Sequence, residues 1–301
     1  MVRYYLYMTI AALMWGGSFV GTKVALEDIG PLTLVFLRYV IGGVIVVLAL
    51  RFIKMQKIES EDLRWLILLC IFEPGLYFLF ETYGIKETDP TIASLIIALI
   101  PVFVLLIAYV LRMESITIQK VVGIVLSVLG VSIVSMFENY GNTTDNHPST
   151  IKGIILIFLA TITASSFTVL LSRLARKYNS FTLASFQVFF TIIFYLPLAI
   201  YENHPHYTFN WGIRSVWALI YLGLFPTFFA YLLYAKGLSK IESSVASLFI
   251  NLIPIFTAVI SALVLRTSPT IYTLIGGVLI IGGVSLVTIK REVKTEIPLT
   301  T

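Results

Sequence analysis

The sequence predicts an all-α integral membrane protein whose ten transmembrane helices form two inverted five-helix repeats. Three observations predict this fold: the apolar composition, ten apolar stretches of membrane-spanning length, and an internal repeat. The 301 residues are 58% hydrophobic and 12% charged, with a mean hydropathy of +0.95. Soluble domains carry about 25% charged residues. Because a chain this apolar needs an apolar solvent, the lipid bilayer is its first expected partner.

Ten stretches are long and apolar enough to cross a bilayer, for which about 20 mostly apolar residues are needed. They cover residues 4–22, 33–53, 63–85, 90–111, 117–137, 151–172, 180–200, 213–235, 242–265 and 270–289. The longest polar connection, ENYGNTTDNHPST, follows the fifth stretch. The expected organisation is a first repeat of five helices over 1–137, an outer linker over 138–150, a second repeat of five helices over 151–290 and a cytoplasmic tail over 291–301.

The charges in the loops predict how the chain is oriented. With the amino terminus inside, the inner segments hold fifteen Lys and Arg residues and the outer segments hold five. Cytoplasmic loops of membrane proteins carry such an excess. We therefore expect a multi-pass protein of the cell membrane with both termini in the cytoplasm. No basic run exceeds three residues, so the net charge of +5 does not indicate binding to nucleic acid.

The two halves of the chain repeat one another. ASLIIALIPVFVLLI begins at Ala93 and ASLFINLIPIFTAVI begins at Ala246, an offset of 153 residues. The same offset aligns three pairs of glycines: Gly84 with Gly237, Gly123 with Gly276, and Gly130 with Gly283. Because five is an odd number, the second half enters the membrane from the opposite side, so the repeat is inverted. Inverted repeats are typical of transporters, whose binding site lies near the midplane between the repeats.

The five-plus-five arrangement, WGGSF at 15–19, and the ASLI and ASLF segments that each lead into LIP resemble the EamA family of the drug/metabolite transporter superfamily. The resemblance covers about residues 4–289. It implies a secondary transporter, since many members export amino acids or other small metabolites. It also implies that the first, third, fourth, sixth, eighth and ninth helices surround a central cavity.

Carboxylates on the third helix are the most informative polar residues. Glu73, Tyr77 and Glu81 are spaced i, i+4 and i+8, so a regular helix would place them on one stripe. A charged side chain at the bilayer centre costs about 2.5–3.5 kcal/mol on insertion scales. Each of the two carboxylates is therefore expected to have a partner or a function that offsets this cost. Arg38 of the second helix is expected at the depth of Glu81, which predicts an ion pair with a structural or gating role. Direct contact of this pair with substrate is the alternative.

Glu73 has no expected countercharge at its own depth. A carboxylate buried in this way favours its neutral, protonated form, which suits coupling to protons. The alternative is a neutral Glu73 that donates a hydrogen bond to a backbone carbonyl. The carbonyl of Cys70 is a candidate acceptor, because Pro74 cannot supply its helical N–H.

Further polar and aromatic residues are candidates for the cavity wall. They are Trp15, Ser18 and Phe19 of the first helix, Ser166 of the sixth, Tyr231 of the eighth and Asn251 of the ninth. Small hydroxyl residues also favour close helix packing, which is the alternative for Ser166. An interhelical hydrogen bond is the alternative for Asn251.

Together these features predict a secondary active transporter that exports small polar metabolites, such as amino acids, by alternating access and in exchange for protons. An uncoupled facilitator or an importer, for example of a vitamin or nucleoside, is the alternative. A structural or sensory membrane protein is more remote. An enzyme is not expected, because Glu73, Glu81 and Arg38 are too scattered to form a catalytic cluster. No cofactor or metal is expected. The expected partners are a small-molecule substrate, protons and lipid. A homodimer is compatible with the sequence.

Overall fold

The computed structural model describes residues 2–111, 116–137, 149–203, 211–238, 249–267 and 269–288. Its helices are α1 (Val2–Ala25), α2 (Pro31–Ala49), α3 (Ser60–Cys70, Ile71–Leu76 and Tyr77–Lys86), α4 (Pro90–Ile97 and Ile100–Val110), α5 (Ile118–Phe137), α6 (Ile151–Leu174), α7 (Ser180–Asn203), α8 (Ile213–Leu224, Phe225–Ala230 and Tyr231–Leu238), α9 (Ile253–Val264) and α10 (Ile271–Thr288). The predicted class, all-α with ten helices in two repeats, is confirmed.

Length and composition agree with a membrane protein. Within the described residues, six helices are long and apolar enough to cross a bilayer, and shorter apolar segments lie in α5, α9 and α10. The predicted linker, apart from residues 149 and 150, and the predicted tail over 291–301 lie outside the described residues. The boundaries assigned to the two repeats stay predictions.

The helix contacts follow the internal repeat. In the first repeat α1 packs on α9 of the second, and correspondingly α6 packs on α4. In the same way α2 packs on α8, and α7 packs on α3. The fifth helices of the two repeats, α5 and α10, pack extensively on each other. Each helix therefore meets a partner from the other repeat, as a pseudo-two-fold relation requires.

The α5–α10 pair shows this relation at atomic distance. A Cβ added to Gly130 would lie 2.6 Å from the carbonyl oxygen of Gly276, and a Cβ added to Gly283 would lie 2.5 Å from that of Gly123. These four residues form two of the three glycine pairs aligned by the repeat. A Cβ essentially never approaches another atom this closely, so only glycine allows the two backbones to meet. Small residues serve this purpose at helix crossings in membranes.

The third helix of each repeat is interrupted by a π-helical turn. The turns cover Ile71–Leu76 in α3 and Phe225–Ala230 in α8. Pro74 and Pro226 lie in these turns, and each lacks the N–H that a regular helix would use. The residue before a proline is also biased away from the helical region, and Glu73 has an extended backbone with φ −147° and ψ 121°. Sites in transporters are typically built at such discontinuous helices.

Candidate functional site

A cavity lies between the two repeats at the level of these interruptions. It holds about 590 Å³ of empty space, including the part open to solvent. All six helices that were expected to surround a cavity contribute residues to its wall: α1, α3, α4, α6, α8 and α9. In addition, α2 contributes Arg38. The polar groups of both repeats therefore converge on one central space.

Most of the residues singled out from the sequence line this cavity. They are Trp15, Ser18, Phe19, Arg38, Glu73, Tyr77, Glu81 and Tyr231. Tyr77 and Glu81 lie one turn apart in the regular segment Tyr77–Lys86, whereas Glu73 reaches the cavity from the π-helical turn and departs from the regular stripe that the spacing predicted.

Ser166 and Asn251 are placed elsewhere. The cavity side of α6 is formed by Ala164, Phe167 and Thr168, whereas the Ser166 hydroxyl donates to the carbonyl of Ile162 in its own helix. Asn251 is buried, and neither polar atom of its side chain has a hydrogen-bond partner in the described part of the chain. The adjacent Ile250 lines the cavity instead. Neighbours of both residues in the same segments line the cavity, and the roles proposed for Ser166 and Asn251 stay predictions.

Glu73 lies at the break of α3 and is only 7% exposed. Its Oε1 accepts a hydrogen bond from the hydroxyl of Tyr231 in α8. The sequence suggested either no partner or the carbonyl of Cys70, and the structure gives a hydroxyl from the opposite repeat. The break brings the two together, because the extended backbone at Glu73 ends the regular helical path. Glu73 is thus a buried acid at the contact between the repeats.

The backbone of this break is held by a residue of the other repeat. The hydroxyl of Tyr195 in α7, itself fully buried, donates to the carbonyl of Gly75 over 2.6 Å. A Cβ on Gly75 would lie 3.0 Å from the carbonyl oxygen of Cys70, so glycine permits a close approach at this turn. Nothing in the sequence pointed to Tyr195, whose partner is 120 residues away.

Arg38 makes its hydrogen bond across the repeats as well. Its Nε donates to Oγ1 of Thr227 over 2.8 Å, and its Cζ lies 4.5 Å from the ring centre of Phe78. The predicted direct ion pair with Glu81 is not formed: in the described structure Glu81 accepts from Thr82 at 3.2 Å, and Arg38 turns to α8. The π-helical turn of α8 contains Thr227 and so offers Arg38 a hydroxyl that the ion-pair prediction did not consider.

Aromatic rings surround the cavity around Glu73. The Trp15 ring centre lies 5.3 Å from that of Tyr231 and 5.0 Å from that of Tyr234, both edge to face. Phe167 lies 6.4 Å from Tyr231 in the same arrangement. Edge-to-face packing of this kind fixes ring positions. The wall beside Glu73 is therefore aromatic.

Ten helices in an inverted repeat, with discontinuous helices and a central cavity lined by both repeats, are the features of a membrane transporter. Comparison with known proteins agrees. The profile of the EamA-like transporter family matches residues 2–136 and 151–289. The chain therefore belongs to the EamA-like transporter family.

Individual relatives extend over nearly the whole chain. Two uncharacterized transporters of Archaeoglobus fulgidus are similar to this chain. One is 29% identical over 96% of this chain and 100% of its own length. The other is 30% identical over 96% of this chain and 98% of its own length. The uncharacterized transporter YetK of Bacillus subtilis is 25% identical over 95% of this chain and 87% of its own. One solved crystal structure, 19% identical, shares the fold with a TM-score of 0.66 over 95% of this chain and 98% of its own.

Proposed function

We propose that this transporter exports small polar metabolites, amino acids among them, in exchange for protons and by alternating access. The observation that carries the proposal is Glu73. It is a buried carboxyl group on the cavity wall, at the break of a discontinuous helix, and its hydrogen-bond partner belongs to the other repeat. Ionisable residues inside a membrane protein mark ion and proton pathways.

The position of Glu73 suits coupling for a geometric reason. Alternating access moves one repeat or bundle against the other around a fixed site. The Glu73–Tyr231 hydrogen bond joins α3 of the first repeat to α8 of the second. Adding a proton to Glu73 or removing it changes the strength of that bond, because a bond to an ionised acceptor is roughly twice as strong as a neutral one. Protonation and the relative position of the repeats are thereby linked.

The loop charges support an orientation in the cytoplasmic membrane with both termini inside. In that orientation Arg38 and Glu81 lie toward the outer end of the cavity, and Tyr234 lies toward the inner end. The two ends of the cavity therefore differ in charge, with the ionisable pair on the outer side and aromatic residues on the inner side.

The test uses proteoliposomes with an imposed proton gradient. Uptake of a mixed panel of amino acids and small metabolites is followed by mass spectrometry for wild type, Glu73→Gln and Glu27→Gln. Glu27 is an exposed loop carboxylate of the same residue type and serves as the matched control. We expect gradient-driven accumulation for wild type and Glu27→Gln, and its loss for Glu73→Gln. Equal accumulation by Glu73→Gln would show that Glu73 is a structural residue and does not couple transport to protons. Equilibration of a cargo by wild type without accumulation would favour the uncoupled facilitator.

A further inference from the structure

The charges that line the cavity do not balance. Glu73, Glu81 and Arg38 are the residues of its wall that carry a full charge when ionised, with neither Lys nor His in the described lining. Arg38 is already engaged, since its Nε bonds Thr227 and its guanidinium packs over Phe78. One guanidinium can offset one carboxylate. With both carboxylates ionised, the cavity carries one excess negative charge.

Glu73 retains bonding capacity on its cavity side. An ionised carboxylate has about four acceptor positions on its two oxygens. Oε1 accepts from Tyr231, and Oε2 has no donor within the described ranges of the chain. An N–H group of a cargo molecule would supply the missing donor.

The aromatic rings beside Glu73 favour the same kind of ligand. Trp15, Tyr231, Tyr234 and Phe167 form a continuous edge-to-face cluster on the cavity wall. Aromatic faces attract cations through the ring quadrupole, and Trp does so best. A carboxylate next to such a cluster recognises an ammonium group by two independent interactions.

One part of the remaining wall is aliphatic. Ile97 and Ile100 come from α4, and Ile250 and Ile253 come from the corresponding segment of the second repeat. These four aliphatic side chains offer no hydrogen bond to a second polar group. They suit the apolar body of a molecule whose polar end is elsewhere.

We infer that the cavity binds an organic amine: an ammonium group at Glu73 and the Trp15 cluster, attached to an apolar body that packs on the aliphatic wall. This inference rests on the proposed function and narrows its cargo. An amine without a carboxylate fits better than an amino acid, because a cargo carboxylate would have to take Arg38 away from its present neighbours. A protonated Glu73 is neutral and no longer attracts an ammonium group, so a proton and the amine compete for this residue. Competition of this kind leads to exchange of the amine for a proton.

The experiment compares four probes that share one body and differ in charge. Calorimetric titration of the full chain in lipid nanodiscs is carried out with 2-phenylethylamine (cation), phenylalanine (zwitterion), 3-phenylpropionate (anion) and 2-phenylethanol (neutral). Empty nanodiscs correct for partition into lipid. We expect the amine to bind at least about tenfold more tightly than the other three, in line with a charge-assisted hydrogen bond.

Two pairs of variants locate the binding. Glu73→Gln should weaken amine binding by at least about tenfold, and Trp15→Leu by about fivefold. Glu27→Gln and Trp217→Leu are the matched controls, since Glu27 is exposed in a loop and Trp217 is 64% exposed on the outside of α8. Both controls should bind the amine as wild type does.

Tighter binding of phenylalanine than of phenylethylamine would overturn the inference, as would amine binding that Glu73→Gln leaves unchanged. Should Glu73→Gln fail to fold, the order of the four probes on wild type decides alone. Failure here is distinguishable from failure of the proposed function: if another cargo accumulates in the proteoliposome assay and depends on Glu73, proton-coupled transport stands and only the amine class is lost.

Discussion

Arg38 of the first repeat donates from Nε to Oγ1 of Thr227 in the second repeat over 2.8 Å, and the Thr227 hydroxyl donates onward to the carbonyl of Leu222 over 2.7 Å. A regular helix would satisfy that carbonyl with the N–H of residue 226, which is a proline without one. Thr227 therefore replaces the missing helical donor, and Arg38 orients the hydroxyl that does so. The interruption of α8 is held from the opposite repeat.

Replacing Thr227 tests this chain of hydrogen bonds. Thr227→Val keeps the shape of the side chain but removes both bonds, leaving a buried guanidinium nitrogen and a buried carbonyl without partners. We expect the free energy of unfolding to fall by about 1–3 kcal/mol, measured by denaturant titration in detergent micelles. Thr227→Ser retains the hydroxyl and should stay within about 1 kcal/mol of wild type. An unfolding free energy of Thr227→Val equal to that of wild type would show that the two hydrogen bonds do not contribute to stability.

Tyr195 offers a parallel test at the break of α3. Tyr195→Phe removes the hydroxyl that satisfies the Gly75 carbonyl, with an expected loss of about 1 kcal/mol of unfolding free energy. Because Gly75 lies two residues from Glu73, gradient-driven uptake should fall as well. Tyr201→Phe is the control, since this residue of α7 is 80% exposed and should change neither quantity. Unchanged uptake by Tyr195→Phe would contradict its role in positioning Glu73.

Adjacent glycines of α10 give a sharp comparison. Gly283→Ala places a methyl group 2.5 Å from the Gly123 carbonyl oxygen, whereas a Cβ on Gly282 meets nothing within 4 Å. Gly283→Ala should therefore destabilise by about 1–3 kcal/mol through overpacking. Gly282→Ala should be neutral or stabilise by up to about 1 kcal/mol, because alanine is favoured in helices. Thermal unfolding in one detergent compares the two, and similar melting temperatures would argue against the tight α5–α10 contact.

Asp28 predicts a dependence of stability on pH. It lies in the loop after α1 and accepts hydrogen bonds from the Ser215 hydroxyl (2.6 Å) and the Gly212 N–H (2.9 Å). These bonds favour the ionised form and lower the pKa of its carboxyl below the ordinary 3.8. A lowered folded-state pKa means that the stabilisation is present above 3.8 and is lost as the pH falls through the folded-state value.

The measurement follows the melting temperature from pH 6 to pH 3. Asp28→Asn should be less stable than wild type at pH 6, and the difference should shrink as the pH approaches 3. Glu27→Gln is the control and should track wild type throughout. A constant difference between Asp28→Asn and wild type at every pH would show that ionisation of Asp28 does not contribute.

Cysteine labelling tests the proposed orientation. The single cysteine, Cys70, is buried, and Cys70→Ser provides a cysteine-free background. Phe52→Cys lies in the loop between α2 and α3 at a position that is 89% exposed, and Glu27→Cys lies in the preceding loop. A membrane-impermeant maleimide should label Glu27→Cys in intact cells and Phe52→Cys only in inverted vesicles. The reverse pattern would place the termini outside.

The sequence predicted those features that repeat or that depend on local backbone chemistry. The offset of 153 residues aligned Gly130 with Gly283, and the structure places each against the other repeat in the same way. Pro74 predicted that the carbonyl of Cys70 lacks its helical N–H, because a proline has no N–H in any tertiary context. The extended backbone at Glu73 was not predicted.

Contacts between the repeats could not be predicted in this way. Tyr231 and Glu73 are 158 residues apart, and Arg38 and Thr227 are 189 apart. No periodicity links such positions, because their proximity depends on how the repeats pack. The prediction that Arg38 would pair with Glu81 used depth and charge alone, and depth does not specify which neighbour receives the guanidinium.

The glycine contact between α5 and α10 has a mechanical consequence. At Gly130 and Gly283 the two backbones touch without side chains between them, and within the described lining no residue of either helix faces the cavity. The two helices have no room to move closer together at this crossing. If the two repeats rock against each other, they would turn about this crossing. These glycines would then be displaced least, and the helix ends farthest from them would move the greatest distance.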